Sequence, residues 1–276
     1  MRQCFSIGLF ALLVLSLPGC GGFRDTKPQL PGNLDTLCMP DYASGFEMYR
    51  YDSSTLLRIV NPWQGADSVS QWVFLSRDDE KPPKGFAGET IDVPVRRIVC
   101  MSSSYVAFLE ALGADSTICA ISGTGYIWSD KVRNRIAGGE IAEAGFDNSL
   151  NFEKLVALKP DVVFLYGLTG KNAVTDKLHE LGLKTVYIGD YVENNPLGRA
   201  EWITVFGEFT GRRELARTLF DSISNEYNRA KALVSGVEKR PEVMLNAPWQ
   251  DSWFVPGDRS YMVRLLEDAG GNYACR

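Results

Sequence analysis

The run Asp161-Val162-Val163-Phe164-Leu165-Tyr166 constrains this chain more than any other stretch. A strand so apolar, without alternation, is buried on both faces, as in a parallel sheet covered by helices on either side. The flanking pattern agrees. Arg97-Ile98-Val99-Cys100-Met101 reads as a strand and Ser102-Ser103-Ser104 as a helix N-cap. Tyr105, Phe108, Leu109 and Leu112 then recur at helical spacing before Gly113. Further strands are expected at 117–121 and 184–188, and helices at 129–136, 152–158 and 172–181. Alternating β and α elements with short connections make a parallel sheet with right-handed crossovers.

On either side the texture differs. Residues 45–94 carry short alternating runs such as Phe46-Glu47-Met48-Tyr49-Arg50-Tyr51, broken by Asp52-Ser53-Ser54 and Asn61-Pro62-Trp63, and read as a small antiparallel β extension. Beyond residue 195 the pattern is helical. Leu215, Leu219, Ile223 and Tyr227 mark one face of an amphipathic helix of about six turns, at 3.6 residues per turn. A strand after Pro241 opens a second β/α unit, and Leu265-Leu266-Glu267-Asp268-Ala269-Gly270-Gly271 is a helix with a glycine stop.

The N-terminus reads as a targeting segment. Met1-Arg2-Gln3 is followed by an apolar run too short for a comfortable membrane span, ending Leu17-Pro18-Gly19-Cys20. Small residue and cysteine in this order resemble a bacterial lipobox, with Cys20 lipidated and residues 1–19 removed. Residues 20–44 then serve as lipidated cysteine and tether, placing the protein outside the cytoplasm on a membrane surface. Cys38, Cys100, Cys119 and Cys275 show no CxxC spacing and imply no metal site; Cys100 and Cys119 lie in apolar runs and read as buried thiols.

Recognised catalytic signatures do not emerge. The chain has one histidine, His179, on a charged helix face, which excludes sites built on several histidines. With 34 acids against 29 bases it lacks the basic footprint of a nucleic-acid binder. No GxSxG elbow or phosphate loop occurs, and no catalytic residue or cofactor is assigned. Polar and aromatic residues instead gather after the strands, where open α/β sheets bind ligands. These candidates are Ser103, Tyr105, Tyr126, Tyr166, Arg199, Trp202, Trp249 and Trp253. Aromatic rings give stiff contact area, and arginine grips carboxylate or phosphate.

The order of motifs resembles a known family. Residues 97–102, 108–113 and 118–122, then Asn151-Phe152-Glu153-Lys154-Leu155-Val156-Ala157-Leu158-Lys159-Pro160-Asp161, Leu181-Gly182-Leu183, Pro256-Gly257 and residues 265–271 look like class III substrate-binding proteins of ABC importers. That family takes up cobalamin, ferric siderophores and haem. The resemblance implies an α/β fold: two β/α lobes with parallel sheets bridged by a long helix, with ligand between the lobes. On this plan 95–195 is the N-terminal lobe, 196–237 the linking helices and 238–276 the start of a C-terminal lobe that is incomplete, its usual remainder lying beyond Asn272. The resemblance also implies an iron chelate, corrinoid or haem ligand, and a permease engaged through Glu153 and Glu267. A two-lobed extracytoplasmic α/β enzyme and a surface adhesin are the competing readings; the first needs a nucleophile or metal cluster in the cleft.

Overall fold

The computed structural model describes residues 35–146, 149–167 and 173–275. The segment read as a signal peptide, Cys20 and the residues read as tether up to 34 lie outside the described residues. Five strands form an N-terminal sheet: β1 (Asp35–Cys38), β2 (Phe46–Tyr51), β3 (Ser54–Val60), β4 (Ser70–Ser76) and β5 (Glu89–Asp92). They pair in chain order, antiparallel from β1 to β4, while β5 runs parallel to β4. The extension is antiparallel from β1 to β4, as read, and residues 77–88 cross over to add β5 in parallel at its edge. The stretch read as tether already contains strand β1.

The β/α alternation forms the second sheet. Its strands are β6 (Ile98–Cys100), β7 (Ile118–Ile121), β8 (Ala142–Glu143), β9 (Val162–Leu165) and β10 (Thr185–Tyr187), all parallel in the order β10-β9-β6-β7-β8. The intervening helices are α1 (Ser103–Ala111), α2 (Asp130–Ala137), α3 (Phe152–Leu158) and α4 (Ala173–Glu180). Successive strand residues face opposite sides, and both sides are apolar. Ile98, Cys100, Val162 and Phe164 enter one core with Phe206 and Phe209; Val99, Met101, Val163 and Leu165 enter another with Leu155 and Leu178. Cys100 and Cys119 are buried free thiols whose pKa burial raises.

Three helices follow: α5 (Pro196–Glu201), α6 (Ile203–Thr210) and α7 (Arg213–Leu233). Every residue of α6 is buried, whereas α7 fully buries Ala216 and Phe220; of the face read from its periodicity, Leu219 and Tyr227 are half-buried while Leu215 and Ile223 are exposed, so the helix is turned slightly from the expected face. β11 (Glu242–Val243) and β12 (Asn272–Tyr273) then pair in parallel around α8 (Tyr261–Asp268), starting the second β/α lobe. α8 is held on α7 through Asp268, which accepts from Tyr227 at 3.0 Å and pairs with Lys231 at 2.8 Å. No helix of the described residues is long and apolar enough to cross a membrane.

The N-terminal sheet is built into the first lobe. Phe46, Met48, Leu57, Ile59, Val73, Leu75 and Ile91 share a core cluster with β6, β9 and α6. Buried carboxylates fix its register. Glu201 accepts the backbone N–H groups of Asp41, Tyr42 and Ala43, each at 2.9 Å. Glu193 accepts those of Ser44 and Gly45, and the Trp202 indole N–H. Glu208 accepts from Thr55 and pairs with Arg77 and Arg213. Gln71 of β4 covers the open edge of β10: its amide donates to Thr185 O at 2.8 Å and accepts from Tyr187 N at 2.9 Å. An unpaired strand edge is thus closed by one side chain.

Candidate functional site

Strand order reverses at β6, since β7 lies on one side of it and β9 on the other. The crevice beyond the carboxyl ends of β6 and β9 is therefore the topological switch point, where open α/β sheets take ligands. Ser102 leaves β6 in extended conformation and its hydroxyl accepts from Ser104 N, so α1 starts at the sheet edge. Ser103, the first residue of α1, is exposed. The free N–H groups of this first turn favour an anion. Across the crevice, after β9 and β10, the rings of Tyr166 and Tyr191 lie 4.3 Å apart.

Asp190, next to Tyr191 in the chain, is buried, with neither carboxylate oxygen in a hydrogen bond of normal geometry and Arg199 Nε at 3.7 Å. Burial pushes its carboxyl above the ordinary range, opposed by Arg199 and the Ser104 hydroxyl. Arg199 in turn lies over the Tyr261 ring, 5.2 Å from its centroid. The arginine therefore joins the first lobe to α8 through a carboxylate on one side and an aromatic face on the other.

Beside the crevice lies an open pocket of about 950 Å³, lined by Ser103, Ser104, Ala107 and Glu110 of α1 and by Tyr126 and Trp128. The two aromatics are 70% and 91% exposed. Their loop is held by Glu143, whose carboxylate accepts from Gly123 N at 2.9 Å, Thr124 N at 2.8 Å, Thr124 Oγ1 at 2.6 Å and Gly145 N at 3.0 Å. Burial would raise this carboxyl's pKa, but those bonds hold it below the usual range. These large rings thus stand on an anchored loop at the surface, outside the core.

The candidate residues sort accordingly. Ser103, Tyr126, Tyr166 and Arg199 stand at the carboxyl edge of the sheet, around the crevice and its pocket. Tyr105 and Trp202 do not line it: both are 0% exposed. Tyr105, inside α1, donates its hydroxyl toward Leu165 O and Ile188 O, and Trp202, at the junction of α5 and α6, packs against Phe46, so both are core residues. Trp249 and Trp253 lie between β11 and α8, 73% and 39% exposed, and are not among the residues lining the pocket. Glu153 is exposed in the first turn of α3, whereas Glu267 is half-buried near Arg240 and Arg264. His179 bonds Thr185 Oγ1 at 2.6 Å and faces Glu89 of β5 at 3.4 Å, a structural setting. Trp128 and Gly189-Asp190-Tyr191 belong to the same gathering of polar and aromatic residues after the strands; Glu143 carries no comparable signal in the sequence.

Comparison with known proteins agrees with this fold. The chain is 27% identical over 307 residues to an uncharacterized lipoprotein of Methanocaldococcus jannaschii, covering 99% of this chain and 73% of that protein. Among solved structures it is similar to the periplasmic heme-binding protein HutB of Vibrio cholerae, with a TM-score of 0.53, 20% identity, and 64% of this chain and 65% of that one covered. A possible iron-binding (periplasmic solute-binding) protein of Staphylococcus epidermidis gives a TM-score of 0.52 at 21% identity, with 65% and 67% covered. The chain thus spans about two thirds of the length of the solved proteins it resembles, and shares their two-lobed α/β fold. The model of the periplasmic binding proteins matches residues 98–275, from β6 to the end of the second β/α unit, and the chain belongs to that family.

Proposed function

We propose that this protein is an extracytoplasmic, lipid-anchored binding protein that captures an iron–siderophore, corrinoid or haem-type ligand and hands it to an ABC permease. The observation that carries the reading is the switch-point crevice, with its adjoining pocket of about 950 Å³ and exposed Tyr126 and Trp128. Flat, conjugated chelates stack on such rings, and their carboxylates or phenolates suit the α1 N-terminus and Arg199. The family and the lipoprotein relative support a role in binding outside the cytoplasm. On this reading Cys20 carries the lipid, Trp249 and Trp253 belong to the opposing lobe, and the exposed Glu153 meets a permease arginine.

The test is titration of the purified protein with haemin, ferric tris-catecholate and cyanocobalamin, followed by tryptophan fluorescence. At least one probe is expected to bind with a Kd near or below about 1 μM, equivalent to about 8 kcal/mol. Failure of all three to bind at about 100 μM would overturn the ligand class.

A further inference from the structure

The hairpin between β3 and β4 reaches from the N-terminal sheet to the carboxyl ends of β9 and β10. Trp63 packs edge-on against Tyr187, with ring centroids 5.1 Å apart. A side chain at Gly167 would come within 3.2 Å of Trp63, and one at Gly189 within 3.2 Å of Pro62. Both strands thus end in a glycine that lets this loop sit directly on the sheet edge. At the tip, Ala66 N bonds Trp63 O at 3.0 Å and Gly65 has φ +81°, a type II turn with Gln64 at its second position. The turn aims Gln64 N–H at the Tyr191 hydroxyl, 3.3 Å away, and that hydroxyl donates to Gly167 O at 2.7 Å. Tyr191 is therefore held from two sides, with its ring against Tyr166.

We propose that residues 61–66 form a wall of the ligand site, and that Gln64 is a positioning residue that sets Tyr191, and through its ring Tyr166, at the mouth of the crevice between β6 and β9. The proposal rests on the binding function given above and extends it: the N-terminal sheet, outside the matched family region, helps decide which chelate enters. The wall is anchored where selection needs it, because the same sheet is pinned to β10 by Gln71 and to α5 by Glu201.

The decisive variant is Gln64→Pro. Proline suits the second position of a type II turn, so the substitution removes the N–H donor while keeping the turn. Tyr191→Phe removes the hydroxyl instead and keeps the ring. Asp67→Ala, on the same hairpin, is the control. Nitration by tetranitromethane, mapped by peptide mass, reads the tyrosines without any ligand. In Gln64→Pro, Tyr191 should react at least about threefold faster than in wild type and control, the equilibrium factor expected for one lost hydrogen bond. Haemin and ferric tris-catecholate then read selection. Their affinity ratio should shift about three- to tenfold in Gln64→Pro and Tyr191→Phe, with the double variant no further displaced than either single. An unchanged nitration rate overturns the proposal, and so does an equal effect on both probes, the mark of a merely structural role. Should Gln64→Pro fail to fold, the ratio in Tyr191→Phe decides. If wild type binds neither probe, nitration alone judges the positioning claim, and the binding function stands or falls on the three-probe titration above.

Discussion

Glu201→Ala tests whether the N-terminal sheet is integral to the lobe. The carboxylate is fully buried and accepts three backbone N–H groups, from Asp41, Tyr42 and Ala43, at 2.9 Å each. A hydrogen bond to a charged group contributes about 1.5–3 kcal/mol, so the three together set an upper bound of about 4.5–9 kcal/mol. Two effects reduce it. Asp41 is exposed and Tyr42 and Ala43 half-buried, so water reaches part of the vacated site. Removing the carboxylate also removes its own desolvation cost. A loss of about 2–5 kcal/mol is expected, large against a net stability of about 5–15 kcal/mol. Urea unfolding followed by tryptophan fluorescence gives the loss, and hydrogen exchange locates it. Amides of β1 and β2 should exchange faster while those of β6 and β9 keep their protection. A loss under about 0.5 kcal/mol with unchanged exchange at residues 41–43 would refute the latch.

Four further outcomes are expected. Glu143 has a lowered folded pKa, so its contribution is complete above the ordinary carboxylate value of 4.5 and fades as pH falls through the folded one; the Trp128 fluorescence of wild type should change in that acid range, and Glu143→Gln should abolish the transition. Gln71→Leu leaves Thr185 O and Tyr187 N without their partner and should cost about 2–4 kcal/mol in urea unfolding, with association through the bared edge seen by light scattering. Trp128→Ala should weaken whichever chelate binds by about three- to tenfold at unchanged melting temperature, since aromatic contacts add about 0.5–1.5 kcal/mol; equal affinity would exclude it from the site. Glu153→Ala should leave stability within about 0.5 kcal/mol and chelate affinity unchanged, while uptake by cells falls; normal uptake at normal protein level would remove its docking role.

The parts of the fold that sequence made legible are those written in local pattern. The unbroken apolar run of β9, the Ser102 cap, the Gly113 stop and the periodicity of α7 each depend on neighbours a few residues away. The strand-end rule put Ser103, Tyr126 and Tyr166 at the carboxyl edge of the sheet because it is a property of the topology. The same rule misplaced Tyr105 and Trp202. Whether an aromatic that follows a strand points to solvent or core depends on what packs above it, here α6 and the N-terminal sheet. Nothing within several residues of either one reports that. The contacts that make residues 35–94 part of the lobe, Gln71 with Tyr187 or Tyr42 with Glu201, join positions more than a hundred residues apart and leave no periodic trace.

Glu193, Glu201 and Glu208 show why those distant contacts matter more for specificity than for strength. All three are nearly fully buried, come from one short stretch, and turn their oxygens to the N-terminal sheet or the loop leading into it. Burying a carboxylate costs several kcal/mol, which its hydrogen bonds must offset before any net gain appears. Apolar contact between the sheet and α6 already supplies attraction, but such contact is non-directional and tolerates sliding. A carboxylate that must meet particular N–H groups does not: a one-residue slip of β2 would strand Glu193 and Glu201 and turn Phe46 and Met48 away from the core. The acids therefore fix a single seating of the sheet. That seating also carries the β3–β4 hairpin to Tyr191: Glu193 holds Gly45, and Gly45 O accepts from Val60 N at 2.8 Å, at the base of the hairpin.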